Sequence, residues 1–91
     1  MEYRVYHSQT FDKQLKKYPK EFHDWLEKIE DQLKEKPAHV GDQLRVPWFR
    51  EKKHTKFRIY YLIYEDLKAV YLVAISDNEN RTNPRTKVRG I

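Results

Sequence analysis

Residues 57–75 read FRIYYLIYEDLKAVYLVAI and contain the most regular hydrophobic pattern of the β-rich half. Its first part, residues 57–64, alternates between an apolar set and a set that begins with Arg58, as in a strand with one face on a core. The polar residues 65–68 predict a hairpin turn. Residues 69–75 are apolar throughout, which is typical of a central strand covered on both faces. We therefore predict a β-hairpin at the centre of a sheet.

Two helices are predicted upstream of this hairpin. Ser8 or Thr10 caps the first, of about two and a half turns. Pro19 separates the two helices and Pro37 ends the second. Their apolar residues recur at helical spacing, at Phe11, Leu15 and Tyr18 in the first helix and at Phe22, Trp25, Leu26, Ile29 and Leu33 in the second.

The remaining segments complete an α+β fold with the order β-α-α-β-β-β. Residues 2–7 alternate as a short strand, and residues 44–53 (LRVPWFREKK) predict another, in which Pro47 indicates an edge position or a bulge. We expect two antiparallel helices on one face of a small, mostly antiparallel sheet, with the first strand beside a hairpin strand and parallel to the last. Residues 1–91 form a single domain, of which residues 77–91 are a loose tail or a short extra element.

The composition favours an anionic partner. Residues 1–44 carry eight Lys/Arg against nine Asp/Glu, whereas residues 45–91 carry eleven against five, which gives the net charge of +5. The absence of cysteine excludes disulfides and thiolate metal sites and is in keeping with a cytoplasmic protein. We expect neither a membrane span nor a secretory leader, because no apolar run reaches the ~18–20 residues that a bilayer requires.

The basic charges concentrate in and beside the β-rich half. Alternation puts Arg50, Lys52 and His54 on one side of their strand, and we expect Arg58 to face them across the hairpin. Arginine and lysine in such a cluster bind phosphate; the alternative is a solvated sheet edge whose charges prevent aggregation. Arg58 favours a phosphate site, because it interrupts an otherwise apolar strand. The basic hairpin comprises Arg50, Lys52, Lys53, His54, Lys56 and Arg58, with Glu51 as its one acid.

Further candidates each have a structural alternative. Tyr60 and Tyr64 share the face of Arg58 by parity and could stack on bases, although strand tyrosines more often pack across strands. His54 suits acid–base chemistry or a turn. No histidine pair has metal-ligand spacing, so we expect no metal. The tail cations Arg81, Arg85 and Lys87 either complete an anion site or form a disordered basic end.

The order and spacing of these segments resemble the RelE/ParE superfamily of toxins from type II toxin–antitoxin modules. The resemblance covers most of the chain and is carried by SQTFDKQLKKYP, the long helix ending in Lys-Pro, GDQLRVPWFREKK, FRIYYLIYED and YLVAIS. It implies a sheet that cups a basic groove, with both helices behind it. It also implies cleavage of mRNA within the ribosomal A site, without a metal or another cofactor, and a cognate antitoxin as partner. Ribosome and mRNA would be the other partners, with no membrane involved.

The resemblance also implies roles for individual residues. Arg58 in FRIYY matches a functional arginine of the family and would stabilise the transition-state phosphate. Arg50, Lys52 and Lys53 correspond loosely to family lysines that bind phosphate and help to deprotonate the 2′-hydroxyl. His54 or Arg81 would assist the leaving 5′-oxygen. Further RNA contacts are expected from Lys53, Lys56, Tyr60, Arg85 and Lys87.

The tail differs from the family pattern. Many members end with an aromatic residue that assists cleavage, whereas NRTNPRTKVRGI contains none. Because ParE-type relatives inhibit DNA gyrase and are not nucleases, a protein-binding toxin is the main alternative, and a degenerate RNA-binding module is another.

Overall fold

The computed structural model of the chain describes residues 2–77. These residues form a two-layer α+β fold with a five-stranded sheet in the order β1-β5-β4-β3-β2. β1 is parallel to β5, and the other neighbours are antiparallel, which confirms the predicted class and the pairing of the first strand with the last. The elements are β1 (Arg4–His7), α1 (Gln9–Leu15), α2 (Lys20–Glu35), β2 (Asp42–Gln43), β3 (Phe49–His54), β4 (Phe57–Tyr64) and β5 (Ala69–Asp77), with 3-10 turns at Pro37–His39 and Glu65–Leu67.

Ser8 begins the helical layer, as one of the two predicted caps. Its side-chain oxygen accepts a hydrogen bond from the Phe11 N–H at 3.0 Å and donates to the Val73 carbonyl at 3.0 Å, which ties α1 to β5. α1 is shorter than predicted. It ends at Leu15, and Tyr18 lies in the following turn, where its ring meets Phe57 edge-on at 5.2 Å.

The two helices cover one face of the sheet, and the core lies between the layers. This helix-covered face takes the alternate residues of β4 that the sequence marked as apolar. In α2 the predicted stripe is buried apart from Trp25, which is half-buried. The core comprises Phe11, Phe22, Leu26, Ile29 and Leu33 from the helices and Phe57, Ile59, Tyr61, Ile63, Val70, Leu72 and Ile75 from the strands.

Two details of the predicted sheet are wrong. Residues 44–53 are not one strand: β3 begins at Phe49, and residues 44–48 are the loop of a β2–β3 hairpin in which Pro47 occupies the turn. A proline has no N–H to contribute to a ladder, so its turn position is physically reasonable. The second error concerns β5. The helices cover one of its faces, whereas Tyr71 on the other face is half-exposed.

The prediction for the tail falls outside the described residues, apart from Asp77, which is the last residue of β5. Among residues 2–77, no helix combines the length and the apolar character that crossing a membrane requires.

Candidate nucleic-acid interface

The face of the sheet opposite the helices carries charged and aromatic side chains. Directly opposed residues of neighbouring strands share a face, so the register assigns each residue to one side. We call this side the open face. Its strand positions are Arg4 and Tyr6 on β1, Phe49, Glu51 and Lys53 on β3, Arg58, Tyr60, Leu62 and Tyr64 on β4, Ala69, Tyr71, Ala74 and Ser76 on β5, and Asp42 on β2.

Arg58 and Glu51 form an ion pair on the open face. Arg58 Nη1 lies 3.2 Å from both carboxylate oxygens of Glu51, and the two side chains are only 18% and 13% exposed. Arg58 Nε is buried and has no hydrogen-bond partner among the described residues, and the same holds for Arg50 Nε on the other side of the sheet. An unsatisfied buried N–H of a guanidinium is suited to an incoming anion, because a phosphate oxygen would supply the missing acceptor.

Two neighbours extend this end of the open face. Lys53 lies directly opposite Arg58 on β3 and is exposed. Ser76 lies opposite Arg58 on β5, and its hydroxyl oxygen is 3.3 Å from that of Tyr60. A cation and two hydroxyl groups therefore flank the Arg58–Glu51 pair.

The buried Tyr61 hydroxyl fixes residues 37–41 next to the part of β3 that carries Glu51. The Tyr61 hydroxyl donates to the Pro37 carbonyl at 2.8 Å and accepts from the Gly41 N–H at 2.9 Å. Burial, the largest cause, raises the pKa of Tyr61. A Cβ at position 41 would lie 2.2 Å from the carbonyl oxygen of Glu51, so only glycine allows this close approach. The segment before β2 thus positions the strand that carries Glu51.

Three of the predicted site residues lie on the other side of the sheet. Arg50, Lys52 and His54 oppose Tyr61, Ile59 and Phe57, so they share the helix-covered face. The prediction that Arg58 faces them across the hairpin is wrong. The cause is the two-residue turn at residues 55–56, which pairs His54 with Phe57 and thereby puts Lys53 opposite Arg58.

Arg50 and His54 contact the backbone and an aromatic ring of the fold, respectively. Arg50 donates from Nη1 to the Pro47 carbonyl and from Nη2 to the Gly41 carbonyl, both at 3.0 Å, which braces the β2–β3 hairpin. The His54 ring stacks on Trp25, with centroids 4.5 Å apart and planes 12° from parallel. These contacts explain how both side chains are accommodated on the helix-covered side.

The other predicted residues are divided between the turn and the tail. Lys56 lies in the β3–β4 turn, with its Nζ 5.6 Å from the centre of the Phe57 ring. Arg81, Arg85 and Lys87 lie outside the described residues, so their proposed roles stay predictions.

Sequence reasoning did not assign roles to Glu51 or Ser76. The one signal for Glu51 was its position as the single acid within the run FREKKH, at the parity of Lys53. Nothing local marks Ser76, which meets Tyr60 only through the pairing of β4 with β5. Within residues 2–77, no group of three or more His, Asp or Glu side chains is arranged to hold a metal ion.

The open face has a second, aromatic end. The rings of Tyr6 and Tyr71 stack with centroids 5.0 Å apart, and Tyr64 meets Tyr71 edge-on at 5.4 Å. Tyr6 and Tyr64 are 39% and 42% exposed. Of these tyrosines, Tyr64 is the one that the sequence favoured for base stacking.

Comparisons with known proteins identify the fold. No family model and no curated protein sequence matches the chain. Among solved structures, the toxin–antitoxin complex RelBE2 from Mycobacterium tuberculosis is similar at 20% identity and a TM-score of 0.75, covering 86% of this chain and 93% of that one. The RelE–RelB complex from the archaeon Pyrococcus horikoshii is similar at 18% identity and a TM-score of 0.77, with coverages of 85% and 96%.

A mutant of Escherichia coli RelE in complex with a peptide of its antitoxin is also similar, at 15% identity and a TM-score of 0.79 over 100% of this chain and 96% of that one. At these identities the likeness establishes the fold. The chain has the RelE-like fold that its sequence resembled.

Proposed function

We propose that this chain is the toxin of a type II toxin–antitoxin pair and cleaves mRNA on the ribosome. The support is its RelE-like fold together with the chemistry of the open face. Several of the similar structures are complexes with an antitoxin, so we propose a cognate antitoxin as its partner. Ribosome-bound mRNA would be the substrate and the cytoplasm the compartment.

The observation that carries this proposal is the Arg58–Glu51 pair on the open face. RNA supplies its own nucleophile, the 2′-hydroxyl next to each phosphate. In the proposed step the 2′-oxygen bonds to phosphorus, the bond to the 5′-oxygen breaks, and the departing 5′-oxygen takes a proton from water, so the products are a 2′,3′-cyclic phosphate and a 5′-hydroxyl. Arg58 would stabilise the charge that develops on the phosphate oxygens. Glu51 would accept the proton of the 2′-hydroxyl as general base.

The surrounding residues receive supporting roles. Lys53, opposite Arg58, would bind a backbone phosphate, and Tyr60 would contact the adjacent base. Glu51 replaces Arg50, Lys52 and His54 in the catalytic assignment, because the register puts those three on the opposite side of the sheet. Four roles remain predictions from the sequence. Arg81 would assist the leaving 5′-oxygen, and Lys56, Arg85 and Lys87 would contact RNA.

The test is primer extension on ribosome-bound mRNA. Arg58→Ala should lower the cleavage rate by about 100-fold to 1000-fold, the effect of removing one donor to a transition-state anion. The matched control is Arg45→Ala, which removes an exposed arginine from the β2–β3 loop and should cleave like the wild type. Thermal unfolding of each variant separates lost chemistry from lost fold. Undiminished cleavage by folded Arg58→Ala would contradict the proposal.

A second candidate is a toxin that acts by binding a protein such as DNA gyrase. The observation in its favour is that Glu51 already neutralises Arg58 within the chain. Growth arrest with DNA damage and intact mRNA would support this candidate, whereas arrest with cleaved mRNA would support the nuclease. Expression without any arrest would support a degenerate RNA-binding module.

A further inference from the structure

The open-face positions of β4, β5 and β1 form a continuous strip from Arg58 to Tyr71, Tyr6 and Arg4, which we call the lane. Along β4, Leu62 lies four residues beyond Arg58, which corresponds to roughly 13 Å at ~3.3 Å per residue. Leu62 opposes Tyr71, and Tyr71 in turn pairs with Tyr6 on β1. Tyr6 lies two strands across from Leu62, which adds roughly 10 Å at ~4.8 Å between strands and puts Tyr6 roughly 16 Å from Arg58. A stacked nucleic-acid strand rises ~3.4 Å per nucleotide, so this distance spans about five nucleotides, and fewer in an extended strand.

The charges along this lane are of one sign. The open-face strand positions of β1, β4 and β5 include two arginines and no acidic residue. Arg58 lies at one end of the lane and Arg4, paired with Ala69, at the other. The acids of the open face, Asp42 and Glu51, lie on β2 and β3, and Glu51 is already bonded to Arg58. A polyanion therefore meets Arg4 at one end and Lys53 beside the paired Arg58 at the other, with no carboxylate at the open-face positions of β1, β4 and β5 between them.

The tyrosines between these cations present a flat, accessible ring. Tyr71 is fixed between two neighbours, since it stacks on Tyr6 and meets Tyr64 edge-on. Tyr6 is the outer member of the stack and is 39% exposed. A shallow groove of about 470 Å³ lies beside these rings and is lined by Arg4, Tyr6, Tyr71 and Lys68 together with Glu2. Lys68 is held by Glu65 at 3.6 Å, which leaves Arg4 as the cation of the lane at this end of the groove.

The geometry points to a nucleobase-binding subsite at Tyr6, in which a base of single-stranded RNA stacks on the Tyr6–Tyr71 pair while Arg4 contacts the neighbouring phosphate. The inference rests on the proposed function, because it takes the same RNA strand whose phosphate lies at Arg58. Base stacking on an aromatic ring is tolerant of sequence, so the subsite would anchor the strand a few nucleotides from the cleaved bond. It would thereby set which phosphate reaches Arg58.

The test measures the affinity of the purified full chain for a short, fluorescein-labelled single-stranded RNA. Its 2′-hydroxyls are methylated, so the probe cannot be cleaved. Fluorescence anisotropy at a series of salt concentrations gives the dissociation constant and its salt dependence. Tyr6→Leu keeps an apolar side chain but loses the flat ring, and it should weaken binding about tenfold with an unchanged salt dependence. Tyr6→Phe keeps the ring and should bind within about twofold of the wild type.

Two further variants separate stacking from charge. Arg4→Ala should weaken binding and lower the slope of log affinity against log salt by about 0.7, the value for one phosphate contact on a single strand. Trp48→Leu is the aromatic control, because Trp48 is 53% exposed and lies in the loop before β3, where it lines a cavity with Tyr64 that does not include Arg4, Tyr6 or Tyr71. It should bind RNA like the wild type.

The outcomes distinguish this inference from the proposed function. Wild-type affinity in Tyr6→Leu, equal losses in Tyr6→Leu and Trp48→Leu, or no RNA binding by the wild type would each overturn the inference. A face built to dock a polypeptide would give the first or the last of these results. If Arg58→Ala abolishes cleavage while Tyr6→Leu binds normally, the nuclease stands and the subsite falls. Binding that depends on Tyr6 without any cleavage by the wild type keeps the subsite and removes the nuclease.

Discussion

Tyr60 and Tyr61 are neighbours in β4 but lie on opposite faces of one sheet. The Tyr61 side chain is fully buried, and its hydroxyl bridges the Pro37 carbonyl and the Gly41 N–H. Tyr60 lies on the open face, with its hydroxyl 3.3 Å from that of Ser76. The same residue type therefore supports the fold on one side and is available to a ligand on the other.

Arg50 and Arg58 likewise lie on opposite faces of the sheet and have different kinds of partner. Arg50, on the helix-covered side, donates to two backbone carbonyls and holds a loop in place. Arg58, on the open face, pairs with a carboxylate instead. In both arginines Nε is buried and has no partner among the described residues, so it is the partners of the terminal nitrogens that differ. We infer that the helix-covered face determines stability, and under the proposed function the open face carries the chemistry. Substitutions on the two faces should therefore differ in whether they reduce stability or activity.

Truncation of the core should give the largest effect. Phe22 is fully buried and packs against the rings of Tyr18, Trp25 and Phe57. Phe22→Ala should lower the free energy of unfolding by about 3–5 kcal/mol, measured by urea denaturation, because it removes apolar contacts and leaves a cavity. Trp48→Ala, which truncates an exposed aromatic, should change it by about 0.5 kcal/mol or less. Similar losses of unfolding free energy in both variants would contradict the view that the helix-covered face determines stability.

Neutralisation of Glu51 should separate activity from stability. Glu51→Gln keeps the shape and a hydrogen-bond acceptor for Arg58 but removes the basic carboxylate, so the cleavage rate should fall about 100-fold, or roughly 2.7 kcal/mol in the barrier. Primer extension on ribosome-bound mRNA measures it. Asp42→Asn, which neutralises another acid of the open face, should leave the rate unchanged. Normal cleavage by Glu51→Gln would restrict Glu51 to positioning Arg58.

The tyrosine pair tests the division within a single strand. Tyr61→Phe leaves the Pro37 carbonyl and the Gly41 N–H without their partner, and it should cost about 1–3 kcal/mol in the free energy of unfolding. Tyr60→Phe removes one half-exposed hydroxyl contact and should cost clearly less. Urea denaturation of both variants gives the comparison. Equal costs would show that the two faces contribute alike to stability.

The smallest effect is a pH dependence at the edge of the helix-covered side. His7 on β1 bonds Asp12 of α1 at 2.8 Å and Glu30 of α2 at 2.6 Å. Burial lowers the pKa of His7, but the bonds to Glu30 and Asp12 outweigh it and raise the pKa above the ordinary 6.5. Neutral imidazole has a single N–H and can donate to only one carboxylate.

Because the folded-state pKa is raised, the His7 contribution to stability is complete below about pH 6.5 and is lost as the pH rises through the folded-state pKa. His7→Gln should remove this part of the pH dependence of the urea midpoint. His39→Gln, at an exposed position in the Pro37–His39 turn, should retain it. A pH profile that is identical in the wild type and His7→Gln would contradict the prediction.

Local patterns predicted the fold well where one face of an element is apolar. The strand at residues 57–64 and the buried stripe of α2 have the predicted positions, because burial imposes periods of two and 3.6 residues on the sequence. The start of β3 was not predictable in this way, since residues 44–48 are held by pairing of β3 with the two-residue β2.

The candidate site was only partly predictable. Arg58 was identified because a charge interrupts an apolar strand, and its position on the open face agrees with its parity. Its partners depend on the β3–β4 register, which the turn at residues 55–56 sets. In that turn Thr55 has a φ of 52°, a value that β-branched residues rarely adopt.

The order of the two helices and the four longer strands, the two apolar faces and the concentration of basic charge in the second half follow from local periodicity and composition, whereas the two-residue strand β2 does not. Strand pairing in the folded chain puts Lys53 and Glu51, and not Lys52 and Arg50, on the face of Arg58, and it brings together three tyrosines from β1, β4 and β5. The physical reason is that a shift of one residue in strand pairing moves every side chain to the other face, and pairing depends on turns and on contacts between residues far apart in the chain.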